Sequence, residues 1–387
     1  RDATVLLSVP VEMVSDSHRR FDPRPAAPPQ PCPADQLAAR LAEAIEAEDL
    51  AVAEGLVRHA MRTEVPLEAI EQALMEPVAA HFLDFGHPAI YLSKLLPFVQ
   101  RLARVRRDLV EEVLVGLVTN IVNATREDTL PAWRRFHVAV EASAARATTW
   151  RAQTGAVDDD LAERLAEANG PEAVAQTVAA LDAGASLEAV AAALMVAGAE
   201  RMLRFDPRID VRLDVQDDWL SVSHIVTFTT AVHTLVRRWP HPRAARWLLM
   251  GARMVGHHKV LDAPEARRSS WSSRPWDAEA FAALLAAGVP AALDHVEDGL
   301  RTAPGELQRV LLDHAVDDGG VRPIVVAHQL KLAFAAPEAV GITGDPRPAL
   351  AAVRMLISPM RERRVRRWAG EAVALVGRGE VPKLLAP

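Results

Sequence analysis

The stretches "PLEAIEQALMEPVAAHFLDF" (66–85) and "SLEAVAAALMVAGAERMLRF" (186–205) agree at nine of twenty positions, 120 residues apart. In both, apolar residues recur at intervals of three and four, which keeps one face of a helix apolar. The identities run in order and include the triplet Ala-Leu-Met, so a duplicated helical unit explains them better than shared alanine content. Each copy precedes a turn and then an apolar segment bearing a histidine: "GHPAIYLSKLLPFV" after the first, "VSHIVTFTTAVHTLV" after the second. The stretch "VVAHQLKLAFAA" (325–336) reads as a third, more diverged copy. The expectation is an all-α, multi-helix domain of repeated units, each pointing a histidine at one buried centre.

Outward from these copies the helical pattern continues from Pro33 almost to the end, and no convincing alternating strand interrupts it. Before it, "ATVLLSVPVEMV" (3–14) has a β-like run, and "FDPRPAAPPQPCP" (21–33) reads as a stiff proline-rich linker. The expected division is an extension over 1–33, read as the tail of an upstream domain, and one helical domain over 34–387. "DAPEARRSSWSSRPWD" (262–277) is the clearest internal loop, read as a surface connector, with a lid as the alternative.

Charge and composition narrow the function classes. A net charge of −7 and a pI near 6.0 lack the concentrated basic face of a nucleic-acid binder. The run "RLARVRRDL" (101–109) reads as a solvated helix face. One cysteine, Cys32, excludes a disulfide framework and any multi-cysteine metal site. Neither a signal peptide nor an uninterrupted membrane-spanning apolar run is visible, so the expectation is a cytoplasmic chain with no membrane and no nucleic-acid partner.

Of 44 cationic side chains only four are lysines: Lys94, Lys259, Lys331 and Lys383. Arginine does not lose its proton in a protein, whereas a desolvated lysine does. A lysine kept where arginine is the habit points to a use for the neutral amine, and Lys331 stands three residues from His328 on one helix face. Among thirteen histidines, His87, His224 and His328 have apolar flanks that offer an imidazole few partners except a metal or one another. His59, on an amphipathic helix in "GLVRHAMRTEV", is a weaker fourth member, and His258 in "GHHK" is its rival. His18, His137, His241, His295 and His314 have polar neighbours and read as surface residues. Tyr91, the only tyrosine, lies one turn beyond His87 on the same face and is the candidate catalytic side chain. A phosphate-binding glycine loop, a Gly-x-Ser-x-Gly elbow, a His-Glu-x-x-His motif and paired Glu-x-x-His helices are all missing.

The segments "RHAMRTE", "GHPAIYLSKLLPF", "SHIVTFTTAV" and "AHQLKLAF", in this order, resemble blocks of the questin oxidase-like family over most of residues 50–340. The resemblance implies an all-helical oxygenase that opens or oxidises aromatic rings. It also implies a non-heme iron held by histidines and by a lysine carboxylated with CO₂. Carried over by position, His59, His87, His224 and His328 would be the imidazole ligands and Lys331 the carbamate. Two departures stand out: Tyr91 replaces the second histidine of the family's His-Pro-Leu-Ile-His block, and only "RHAM" survives of its Asn-His-Gly-Pro-Met block. The expected function is therefore metal-dependent oxygenation of a hydrophobic, aromatic small molecule, with iron as cofactor and O₂ as co-substrate. The alternatives are a non-catalytic helical scaffold for a protein partner and a zinc hydrolase using the same histidines.

Overall fold

The computed structural model describes residues 25–131, 133–143, 146–212, 215, 217–265, 269–316, 323–358 and 373–380. The β-like run at 3–14 lies outside these residues. The linker residues 25–33 are extended and lie on the first helical hairpin, where Gln30 N–H donates to the Gly55 carbonyl at 2.8 Å. Among the described residues there are helices and isolated β-bridges but no strands, as an all-α domain requires.

The hairpin comprises α1 (Leu37–Glu46) and α2 (Leu50–Arg62), and α2 packs on α1 and on a later helix, α5. Two units with the same plan follow. The first has α3 (Leu67–Ala80), α4 (His87–Val105) and α5 (Val110–Asn123), closed by an antiparallel bridge between Leu83 and Arg126. The second has α6 (Leu187–Arg204), α7 (Trp219–Arg238) and α8 (Ala245–His257), closed by a bridge between Phe205 and Asp262. The clasps match bond for bond. Asp84 N–H donates to Thr125 and Glu127 N–H to Phe82; correspondingly, Asp206 N–H donates to Leu261 and Ala263 N–H to Arg204. The repeat seen in the sequence is thus a repeat of topology. The third copy is a helix alone: α9 (Pro323–Thr343) has no such bridge among the described residues.

Local chemistry sets the helix starts. Ser186 caps α6 by accepting from Ala189 N–H, and Asp218 with Ser221 forms a capping box on α7. α7 is the central element, packed against α4, α6, α8 and α9. By length and composition it is apolar enough to cross a bilayer, but fifteen of its twenty residues are buried inside the protein. Its buried threonines stay satisfied: Thr227, Thr229 and Thr230 each donate to carbonyls one turn earlier. Below the second clasp, the fully buried Arg201 donates to the carbonyls of Val255 and Ala166 and pairs with Asp262, locking α6 to α8.

In the loop 262–277, the described residues 269–277 are pinned to the helices that follow. The Trp271 and Trp276 indoles donate to Glu297 and Glu306, and Asp294 and Asp298 accept backbone N–H groups from Ser272 and Trp276. His295, read as a surface residue from its polar neighbours, is instead buried, with Nδ1 at 3.0 Å from the Pro275 carbonyl. Those neighbours point at the loop, not at solvent.

The turn before α4 is the tightest feature. Asp84, Phe85 and Gly86 have φ of 43°, 54° and 87°, three consecutive left-handed residues. A Cβ on Gly86 would lie 2.3 Å from the Phe228 ring of α7. Glycine is required there for both backbone and space, and the close approach sets α4 against α7. Gly86→Ala should therefore cost more than the roughly 1–2 kcal/mol of a left-handed residue alone. Urea unfolding monitored by circular dichroism measures this; an unchanged midpoint would mean that the turn has another way to close.

Candidate metal centre

Three helices meet at the centre. His87 is the first residue of α4, and His224 and His328 each lie in the second turn of their helices, α7 and α9. The Nε2 atoms of His87 and His224 are 2.8 Å apart, and those of His224 and His328 are 3.1 Å apart. All three lie within 4.8 Å of one another. Lys331 Nζ is 3.2 Å from His328 Nε2 and 3.4 Å from His224 Nε2. One helical turn on α9 delivers both the imidazole and the amine.

The other ring nitrogens fix the tautomers. His224 Nδ1 is 2.7 Å from the Leu220 carbonyl, and His328 Nδ1 is 2.6 Å from the Ile324 carbonyl, each four residues back on its own helix. A carbonyl only accepts, so both Nδ1 atoms carry the proton and both Nε2 atoms present lone pairs to the centre. His87 Nδ1 is 3.1 Å from Asp84 Oδ2, and this carboxylate plays the same orienting role from the left-handed turn. The pairing holds the Asp84 carboxyl below its usual range. Orientation of a ligating imidazole through its second nitrogen is the usual support of a metal site.

Electrostatics keep His224 and His328 unprotonated. Burial, reinforced by the Lys331 charge, pushes His328 down to about 3 and His224 well below the usual imidazole range. Burial also lowers the Lys331 amine to about 8, against a small opposing pull from Asp84. His81 is the contrast. It has carboxylates on both nitrogens, Asp128 at 2.9 Å and Glu46 at 3.0 Å, and its pKa is raised. His224 and His328 instead turn lone pairs into the centre, beside the His87 ring and Lys331. Such a set could hold a cation.

A divalent ion fits by spacing. At about 2.1 Å from each nitrogen, ligands at right angles sit about 3.0 Å apart and tetrahedral ligands about 3.4 Å apart. Two of the three edges, 2.8 and 3.1 Å, match the former, and all three fall within 4.8 Å. Imidazole serves iron, zinc, copper and nickel, so the donor set alone does not select among them.

Tyr91 stacks on His87 with ring centroids 5.7 Å apart, and burial raises its phenol pKa. Tyr91 and Lys331 both line a cavity of about 540 Å³ between α4 and α5. His59 is not among the residues brought together. It is half-buried on α2, which packs on α1 and α5, away from the helices that carry the triad. His258 is elsewhere too: its Nδ1 is clipped to Met254, and its buried Nε2 lies 3.8 Å from Asp217. Asp84 is a site residue outside the candidates read from the sequence; its signal there is the Asp-x-x-His spacing, which a Glu-x-x-His pattern does not cover.

Comparison with protein-family models, characterised proteins and solved structures finds no match to this chain.

Two outcomes are expected. Asp84→Asn should weaken metal affinity by roughly 10- to 100-fold, since it acts through His87, as competition with a chelator would measure. Stability of the metal-free protein should fall with acid. Below about pH 6.5 the unfolded chain takes up protons at His224 and His328 that the folded chain refuses until about pH 3 at His328. A chelator-treated sample should therefore have a lower urea midpoint at pH 5.5 than at pH 7. Equal midpoints would mean that these rings are not held neutral.

Proposed function

We propose that this chain is a metal-dependent oxygenase acting on a hydrophobic, aromatic small molecule, with a non-heme iron bound by His87, His224 and His328. The observation that carries the reading is the convergence of three imidazole Nε2 atoms beside a lysine, two of them on rings whose Nδ1 protons are held by backbone carbonyls. Lys331 is the fourth protein ligand, as a carbamate: its neutral amine adds CO₂, a C–N bond forms and one proton leaves. Burial favours this by lowering the amine to about 8, so that a useful fraction is neutral near physiological pH. Iron, when bound, supplies the activation of O₂ that organic side chains lack.

The remaining roles belong to the protein. Asp84, Leu220 and Ile324 hold the three rings in one orientation, so little reorganisation accompanies binding. Tyr91 stands between His87 and the cavity, placed to give or take a hydrogen bond with a substrate. The apolar walls exclude water from the reacting region.

Lys331→Arg tests this reading. Arginine stays charged beside a metal cation and cannot add CO₂. The variant should keep its helical content and lose most of its bound iron and substrate-dependent O₂ uptake. Carbon-13 NMR of wild-type protein in ¹³CO₂ should show a carbamate carbon that the variant lacks. Full iron occupancy in Lys331→Arg would exclude the carbamate ligand.

A further inference from the structure

The hairpin tip that joins α4 to α5 carries a pattern that the metal centre does not use. The run "RLARVRRDL" (101–109), expected from its charges to be a solvated helix face, is solvated, but apolar side chains stand out among the charges. Phe98, Val105 and Leu109 are all exposed, Val105 to 76%. Along α4, Phe98, Arg101, Leu102 and Val105 recur at intervals of three and four and so share one face. Charge at the tip is unbalanced. Every carboxylate between residues 94 and 113 is already taken: Asp108 by Arg106, Glu111 by Arg58 and Arg62, Glu112 by Arg58. Arg101, Arg104 and Arg107 are exposed and have no carboxylate partner among the described residues, on a chain whose net charge is −7. A single exposed leucine needs no explanation, but three large apolar side chains set among unpaired guanidinium groups do.

We infer that this tip docks on an anionic phospholipid surface, with Phe98, Val105 and Leu109 entering the headgroup boundary and Arg101, Arg104 and Arg107 meeting lipid phosphates. Charge complementarity selects the partner. A guanidinium group gives phosphate two parallel hydrogen bonds, and its aliphatic stem lies along apolar surface while the charged head stays at the interface. Basic and apolar side chains interleaved on one helix are the composition of a segment that rests in a membrane interface. A protein partner fits less well. Three apolar side chains and three arginines on a hairpin end fall short of the roughly 20–30 residues a side of a stable protein interface, whereas a bilayer has no fixed area to match. A nucleic acid would use the arginines and leave the aliphatic side chains in water. The same face of α4 runs back from Phe98 to Leu95, Lys94 and Tyr91, which line the cavity. Leu95 and Val105 are ten residues apart, about 15 Å along the helix. A hydrophobic molecule dissolved in the lipid would then reach the cavity along apolar side chains. That delivery rests on the oxygenase reading; the docking itself does not.

The test is sedimentation of the full chain with lipid vesicles, with iron content measured separately in each sample. Wild-type protein should bind phosphatidylcholine vesicles that contain phosphatidylserine, bind pure phosphatidylcholine far less, and come off as salt screens the attraction. Each arginine near the surface is worth about fivefold in the partition coefficient. Arg101→Gln, Arg104→Gln and Arg107→Gln together should therefore lower it roughly 100-fold at unchanged helical content. Val105→Ser with Leu109→Ser should weaken binding several-fold with no change in charge, because the inserted apolar surface is lost. Equal binding to vesicles with and without phosphatidylserine, absence of binding to both, or binding unaffected by either set of substitutions overturns the inference. So does a dimer without lipid that the Val105 and Leu109 substitutions dissociate, which would make the tip a contact between copies of the chain. Docking as described by protein that takes up no iron would sink the oxygenase reading and leave this surface standing; iron uptake without docking would do the reverse.

Discussion

Lone pairs pointed at one another in a dry interior are the constraint on which this structure depends. Leaving a buried acceptor without a donor costs roughly 1–3 kcal/mol, and the lone pairs of His224 and His328 crowd together with only the His87 ring and Lys331 beside them. A hydrophobic core of the same volume would be more stable. The surrounding fold therefore has to impose the arrangement, and its devices are visible. The Asp84–Gly86 turn is left-handed throughout and seated on Phe228, and α7 is buried along most of its length. Two i−4 carbonyls and one carboxylate lock the rings from behind. A bound cation would turn the unfavourable feature into a favourable one.

The duplicated plan explains how three distant segments reach one point. Each clasp closes a unit of three helices, and the units meet chiefly through α4 on α7, with α9 laid beside α7. His87 and His224 are supplied by corresponding middle helices of the two units. The groove of α4 and α5 opens beside the centre through Tyr91 and Lys331, so the pocket and the ligands share one helix, α4, and one lysine. The geometry of the histidine centre and that of the cavity are then set by the same packing.

Much of this was legible in the sequence because helical periodicity and apolar flanks are local signals. The repeat at 66–85 and 186–205 marked α3 and α6, and the flanks of His87, His224 and His328 marked three rings that do converge. The spacing of His328 and Lys331 placed the amine correctly, since one helical turn fixes it. What failed was whatever depends on which helix lies behind which. His59 has a suitable helix, but that helix packs on α1 and α5. His258 has suitable burial, but it belongs to the Asp217 neighbourhood. His295 looked solvated because its acidic neighbours grip a loop across 20 residues of sequence. Asp84 was within reach of sequence reasoning, because its spacing from His87 is local.

One metal ion held at the His/Lys centre would give the converging rings their purpose. The direct measurement is metal content and X-ray absorption at the metal edge, on protein produced without a histidine tag and incubated anaerobically with iron(II). The prediction is one ion per chain, with three imidazole nitrogens at about 2.1 Å, lost together when His224 is replaced by alanine. A chain that takes up no metal under these conditions, or one whose bound ion survives His224→Ala with the same coordination, would contradict it.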